Sequence, residues 1–300
     1  MTEWPKISII TPSFNQGKYI EQTIQSVVNQ GYPNLEYIVI DGGSTDETVD
    51  ILNKYDSQIH YWVSEKDRGQ SHAINKGLER ASGDIINWLN SDDYYEPNSL
   101  FTVAKAFLAN ENIKAVLART RVVGITPERY STTEFNPSNP QQNFSKALIE
   151  QPATFFSGQF YRNVGPLNES LHLAMDLDLW IKFLLTQKSS SVKQLEDVVV
   201  NFREHLDSKT VNFRQKMVVE RATLLREVIQ KLDENKGLYA SLVLHLTETE
   251  SIAIKWGCTD FQMFWLKAFK KEQPILAKEL KKLIHPKYLR FSDKLRRILC

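Results

Sequence analysis

Two cysteines in 300 residues, Cys258 and Cys300, leave no disulfide framework and no cysteine-rich metal site to build on. They lie far apart, without metal-ligand spacing, and fit a reducing cytosol. No apolar run approaches the roughly 18 residues that a membrane-spanning helix needs. The opening residues, MTEWPKISII, have no basic region followed by an apolar core, so no secretory leader is expected. Net charge is nearly absent too: 37 basic against 36 acidic residues leave +1, which excludes a global attraction to nucleic acid. Internal repeats and low-complexity tracts are missing. What remains is an ordinary globular composition, 42% hydrophobic and 24% charged, long enough to bury a large core.

Charge is unevenly spread even so. Residues 261–300 carry eleven Lys or Arg against Glu272, Glu279 and Asp293, a local excess of +8, interleaved with Phe264, Trp265, Phe269, Leu283, Phe291 and other apolar residues. Such a mixture at helical spacing suits a helical appendix with a solvated basic face, or a segment lying on an anionic membrane surface.

The chain is organised by alternation. Lys6–Thr11 reads as a short buried strand, followed by a helix with Ile20, Ile24, Val27 and Val28 on one face. Leu35–Ile40 is a second strand, ended by Asp41-Gly42-Gly43. Ser44 with Glu47 predicts a capping box and a helix to about Tyr55. Ile59–Val63 predicts a third strand, Ser71–Arg80 a helix, and Ile85–Leu89 a strand apolar enough to be covered on both faces. Strand and helix alternating four times mean βαβ units around a parallel sheet, an α/β fold. Beyond Pro97 the pattern loosens. A helix fits Leu100, Val103 and Phe107, strands fit Ala115–Ala118 and Val122–Ile125, and Thr126–Asn143 reads as one long loop. Ala153–Phe156 predicts a strand, a helix begins near Asp176, Val198–Phe202 is a last strand, and helix is expected from about Phe213 onward.

Chemistry concentrates where the fourth strand ends. Ligands in open α/β sheets bind outside the carboxyl ends of the strands, and Asp92 and Asp93 stand there side by side. Paired carboxylates suit a divalent cation carrying a phosphorylated substrate, since Mg²⁺ takes one or two carboxylates plus phosphate oxygens.

Six segments in order then resemble the motifs of the family 2 glycosyltransferases: Thr11-Pro12-Ser13-Phe14-Asn15, Asp41-Gly42-Gly43-Ser44-Thr45-Asp46, 70–77 (QSHAINKG), Asn90-Ser91-Asp92-Asp93, Met175-Asp176-Leu177-Asp178-Leu179-Trp180 and Phe202-Arg203-Glu204-His205. The resemblance spans roughly residues 5–212. It implies a GT-A fold with a mixed central sheet and flanking helices. Its domain would cover 1–212, with a nucleotide-binding half to about 97 and an acceptor-binding half over 98–212, leaving 213–300 as a basic helical extension. It also implies inverting transfer from a nucleotide-diphosphate sugar, a UDP-sugar in the first instance, to a glycan or lipid-linked acceptor.

By the same resemblance Thr11, Pro12 and Ser13, with Asn15, line the nucleotide, and Asp41 accepts from base or ribose. Asp67 and Arg68 border base and phosphates, supported by Asn75 and Lys76. Asp92 meets ribose or donor sugar, while Asp93 and His205 hold Mn²⁺ or Mg²⁺, the imidazole tilting the choice toward Mn²⁺. Asp176 is the general base. Each has a plainer alternative: a Thr-Pro turn, an Asx turn at Asp41, a solvated 65–70 loop, a structural His205, and an acid favourable to a helix N-terminus at Asp176. Gly42, His72 and Met175 depart from the family pattern, where a second Asp, an acidic residue and a Glu are common; His72 reads as surface variation and Asp178 as structural. A nucleotidyltransferase of similar sheet lacks its Gly- and Arg/Lys-rich phosphate loop here, and a silent binding module has no use for both Asp93 and Asp176. The expected setting is cytoplasmic, peripheral on the inner face of a plasma membrane, adding single sugars in polysaccharide biosynthesis.

Overall fold

The run Ile7–Ser13 forms β1, buried at every position, because its neighbours on both sides are strands and its faces are covered. The computed structural model describes residues 3–231 and, beyond them, Leu242, His245, Leu246 and Thr249. After β1 come α1 (Ile20–Val28), β2 (Leu35–Asp41), α2 (Thr48–Lys54), β3 (Tyr61–Ser64), α3 (Gln70–Arg80), β4 (Ile85–Trp88), β5 (Tyr94–Tyr95) and α4 (Ser99–Leu108). The second part holds β6 (Ala115–Gly124), β7 (Arg129–Thr132), α5 (Pro140–Ser145), β8 (Thr154–Ser157), α6 (Gly158–Val164), α7 (Met175–Thr186), β9 (Val192–Glu204), α8 (Lys209–Asn212) and α9 (Arg214–Lys231).

The strands make one mixed sheet in the order β3-β2-β1-β4-β8-β6-β9-β5, with β7 on β6. The first four are parallel, as the βαβ reading requires; β8 then runs against both β4 and β6. The two-residue strand β5 follows β4 closely in the chain yet pairs with β9, Tyr94 opposite Asn201 and Tyr95 opposite Val200. That ladder is what brings the end of β9 to the loop after β4. α3 packs on β1 through Gly77, where a Cβ would collide with the Ile10 side chain, which explains the last residue of the 70–77 motif.

Three local expectations are corrected. The Ser44/Glu47 capping box does not form: Ser44 donates to Asp41, Glu47 makes no side-chain cap, and the Thr48 amide instead donates to Asp46 Oδ1 at 3.1 Å. The two strands at 115–118 and 122–125 are one, β6, whose polar Arg119-Thr120-Arg121 centre is accommodated by register shifts against β9. The long loop after it contains β7 and α5, so a hairpin partner and a short helix occupy much of 126–143.

By its contacts the chain divides into two compact units, Met1–Ser138 with Leu148–Asn212, and Asn139–Ala147 with Phe213–Cys300. In the second, α9 buries Val218, Ala222, Leu225 and Ile229 along one stripe. The basic stretch 261–300 lies outside the described residues. Among the described residues no helix is long and apolar enough to cross a membrane.

Glu36 ties the front of the parallel sheet together. Its carboxylate accepts from Lys6 Nζ (2.7 Å), the Ser8 hydroxyl, and the Ser82 amide and hydroxyl (2.7 and 2.8 Å). Burial pushes this carboxyl up, but the Lys6 ammonium and the Ser8 and Ser82 donors outweigh it and hold it at about 2, against the usual 4.5. The network therefore stabilises the fold fully above about pH 4.5 and loses that contribution as pH falls toward 2. Glu36→Gln is expected to lower the melting temperature by several degrees at pH 7 and to leave acid stability near pH 2 unchanged. An equal loss at both pH values, measured by thermal unfolding, would assign the effect to packing instead.

Candidate active site

The site is assembled at the carboxyl ends of β1, β2, β3 and β4, where the loops to the following helices meet. β1 enters it with side chains turned inward. Thr11 and Pro12 are buried, and Thr11 Oγ1 shares a hydrogen bond with the Tyr37 hydroxyl at 3.1 Å. Ser13 is buried with its hydroxyl unpartnered. Asn15, with φ of 52°, crosses to the next loop: its amide donates to Ser44 Oγ (2.7 Å) and its Oδ1 accepts from the Thr45 amide (2.9 Å).

Asp41 closes β2 and is wholly buried. It accepts from the Gly43 and Ser44 amides (3.1 and 2.8 Å), the Ser44 hydroxyl, and the Ser64 hydroxyl (2.6 Å). Three of these donors meet Oδ2 and one, the Ser44 hydroxyl, meets Oδ1, all of them from its own loop and β3. These bonds make Asp41 the cap of the turn that follows β2. Asp67 is the half-buried carboxylate at this end: Oδ1 accepts from the Gly69 amide (2.7 Å), and Oδ2 lies where a Cβ on Gly42 would come within 2.6 Å. The absent side chain at Gly42 makes the room that Asp67 uses.

Arg68 is exposed and reaches Glu169, with Nε at 2.9 Å and Nη2 at 2.7 Å from Oε2. Asn75 is a staple: Oδ1 accepts from the Leu167 amide (2.8 Å) and Nδ2 donates to the Leu167 carbonyl (3.0 Å). Lys76 pairs with Glu65 of the charged loop at 2.5 Å. His72 Nδ1 accepts from the Arg68 amide at 3.1 Å, so it braces the loop from α3.

Asp92 and Asp93 part company on leaving β4. α1 holds their loop, with the Thr23 hydroxyl donating to the carbonyls of Ser91 and Asp93 (2.9 and 2.6 Å). Asp93 is 1% exposed; its Oδ1 accepts from the Arg203 amide at 2.9 Å and its Oδ2 has no hydrogen-bond partner. Burial, then the adjacent Asp92 charge, pushes its carboxyl well up. Asp92 is partly exposed and meets His205, with Nε2 3.0 Å from Oδ2. So the two carboxylates and the imidazole, from two distant stretches of chain, gather where β5 pairs with β9.

No three His, Cys, Asp or Glu side chains among the described residues form a self-contained metal cage. A cation completed by phosphate oxygens needs fewer. Three features fit one: a buried carboxylate oxygen without a partner, a second carboxylate beside it, and an imidazole nitrogen against that second carboxylate.

Asp176 stands in the first turn of α7, where the helix dipole favours a carboxylate, and its Oδ1 accepts from the Leu177 amide at 2.8 Å. Two acidic residues near these sites escaped the sequence. Burial pushes the carboxyl of Glu150 up, the Ser131 and Thr120 hydroxyls offset this, and the Asp176 charge adds to the rise. Glu150 has no local signal, since it sits between loops. Glu169, the partner of Arg68, is likewise linked only by the fold.

The family comparison decides what this constellation belongs to. The profile for glycosyl transferase family 2 matches residues 8–164, more than half of the chain. The chain belongs to that family. It is therefore a glycosyltransferase, with the GT-A fold. An uncharacterized glycosyltransferase of Rickettsia typhi is 29% identical over 288 residues, covering 92% of this chain and 83% of the relative. Among solved structures, Staphylococcus aureus TarS 1–349 in complex with UDP-GlcNAc superposes with a TM-score of 0.67 at 19% identity, over 89% of this chain and 80% of that one. The Pyrobaculum calidifontis mannosyltransferase in complex with GDP-Man and Mn²⁺ gives 0.60 at 18% identity, over 99% and 86%.

Proposed function

We propose that this glycosyltransferase moves one sugar, with inversion, from a nucleotide-diphosphate sugar to a hydroxyl of a glycan or lipid-linked acceptor. The observation that carries the reading is the convergence of Asp92, Asp93 and His205 at the strand ends. The donor's nucleotide lies across the ends of β1 to β3, with Ser13, Asn15 and Asp67 as its polar contacts and Asp41 holding the loop in shape. Arg68 exchanges Glu169 for phosphate, while Asn75 and Lys76 keep its loop in place. Asp92 meets the ribose or the donor sugar.

Asp93 and His205 are the side chains that would hold Mn²⁺ or Mg²⁺, with Asp92 beside them. Such an ion supplies charge neutralisation for the departing diphosphate. Asp176 takes the proton of the acceptor hydroxyl as its oxygen bonds the anomeric carbon from the face opposite the diphosphate, whose bond to that carbon breaks. UDP is the expected nucleotide, in keeping with the UDP-GlcNAc of TarS; the GDP-Man and Mn²⁺ of the mannosyltransferase support a metal-assisted donor site in this fold. The excess of basic residues in 261–300 suits an anionic membrane surface on which a lipid-linked acceptor is presented, at the inner face of a plasma membrane.

Thermal unfolding with UDP, GDP, dTDP and CDP, each with and without Mn²⁺, tests the donor reading. A ligand at about 100 times its dissociation constant adds about 2.7 kcal/mol, and each kcal/mol moves the midpoint of a domain this size by roughly 2–4 °C. One nucleotide is expected to raise the midpoint by several degrees, and more with Mn²⁺ than without. No Mn²⁺-dependent increment with any of the four would overturn the metal-assisted donor site.

A further inference from the structure

Metal-binding histidines are ordinarily held by a hydrogen bond from the second ring nitrogen to a carboxylate, carbonyl or water. His205 is 8% exposed, its Nε2 meets Asp92, and its Nδ1 is buried without a hydrogen-bond partner. Apart from the Nε2–Asp92 contact, no hydrogen bond orients this ring. The neighbour in contact with it is Tyr19, whose ring centroid is 4.5 Å away at an interplanar angle of 35°. Offset aromatic pairs at this separation are attractive and set ring orientation.

Tyr19 is itself restrained. It sits in the turn between β1 and α1, its amide donating to the Gln16 carbonyl at 2.9 Å and its own carbonyl accepting from the Gln22 amide at 3.1 Å. Arg203 lies over the same ring at 4.9 Å and over Tyr94 at 5.1 Å, and its Nη2 donates to Gln22 Oε1 at 2.7 Å. The pattern follows from the strand: Arg203 and His205 are two residues apart on extended chain and share a face, while Glu204 turns the other way to Arg129. One aromatic ring therefore receives both side chains that the end of β9 delivers beside Asp92 and Asp93.

We propose that Tyr19 is a positioning residue for the metal site. Its ring, not its hydroxyl, holds the His205 imidazole with Nε2 toward Asp92, in place of the missing hydrogen bond at Nδ1. This rests on the reading of His205 as a metal ligand. Because Tyr19 rides on the loop that follows the Thr11–Asn15 motif, it also couples the nucleotide-binding loop to the metal-binding end of β9.

The test is Mn²⁺ binding, followed by the electron paramagnetic resonance signal of the free ion, with UDP saturating. Wild type, Tyr19→Phe, Tyr19→Ala, Tyr19→Leu, His205→Ala and the Tyr19→Ala/His205→Ala double variant are compared. Expected are Tyr19→Phe within twofold of wild type and a loss of about 10–100-fold for Tyr19→Ala and Tyr19→Leu, the usual cost of losing a residue that orients a metal ligand. His205→Ala should lose at least as much, and the double variant no more than His205→Ala, since the tyrosine acts through the histidine. Should Tyr19→Ala fail to fold, Tyr19→Leu keeps apolar bulk in the turn and carries the comparison. Wild-type affinity in both, or additive losses in the double variant, would overturn the role of Tyr19 while His205 stands. Wild-type affinity in His205→Ala would overturn the metal reading of His205 and this proposal with it.

Discussion

Asp176→Asn is expected to slow sugar transfer by about 10²–10⁴-fold, the range general-base assistance supplies, and to leave donor affinity within about twofold. Asn keeps the volume and keeps an Oδ1 acceptor for the Leu177 amide that Asp176 bonds at 2.8 Å, so the first turn of α7 should not change. What it loses is a carboxylate able to take a proton. One feature argues that this carboxylate is not needed for the helix alone. A helix N-terminus is satisfied by any first-turn acid, and Asp178 already supplies one, paired with Lys182 at 2.8 Å. Steady-state transfer together with calorimetric titration of donor separates the outcomes. Transfer surviving within tenfold would remove Asp176 from the role of base. A parallel loss of donor affinity would mean that the substitution had disturbed the site.

The parallel half of the sheet could be read from the sequence because its signals are local. Buried strands such as Ile85–Trp88 are apolar throughout, and α1 shows its inner face at Ile20, Ile24 and Val27. The later half could not. β5 is two residues long, too short to stand out, yet its pairing with β9 is what sets Asp92 and Asp93 against His205. β7 is exposed along most of its length and carries no alternating apolar face, so it passed as loop. At the site the sequence names segments, while the bonds that hold them are non-local. Asp41 and Asn75 both stand in the segments it singled out. The bonds they accept, from the Ser64 hydroxyl at Asp41 and from the Leu167 amide at Asn75, are non-local and cannot be seen in a pattern. Arg203 lies inside one of those motifs without standing out, because a cation after a strand looks like surface until Tyr19, Tyr94 and Gln22 close around it.

Asp93→Asn is expected to separate folding from metal binding in opposite directions. Asp93 is a carboxylate buried beside another carboxylate, and its ionised form is disfavoured by that burial and by the Asp92 charge. The neutral amide removes that cost and keeps the acceptor for the Arg203 amide, bonded at 2.9 Å. Against this, its NH₂ group takes the place of an oxygen that has no partner, and an unsatisfied buried donor costs about 1–3 kcal/mol. The two contributions oppose each other, so the metal-free midpoint is expected to stay within a few degrees of wild type. Mn²⁺ affinity in the presence of UDP should fall by about 100-fold or more, because losing a ligand exceeds the 10–100-fold typical of losing a residue that merely orients one. In thermal unfolding the Mn²⁺-dependent part of the nucleotide shift should then vanish while the nucleotide-only part remains. A carboxylate kept for folding alone would give the reverse: a lowered metal-free midpoint and an unchanged Mn²⁺ increment.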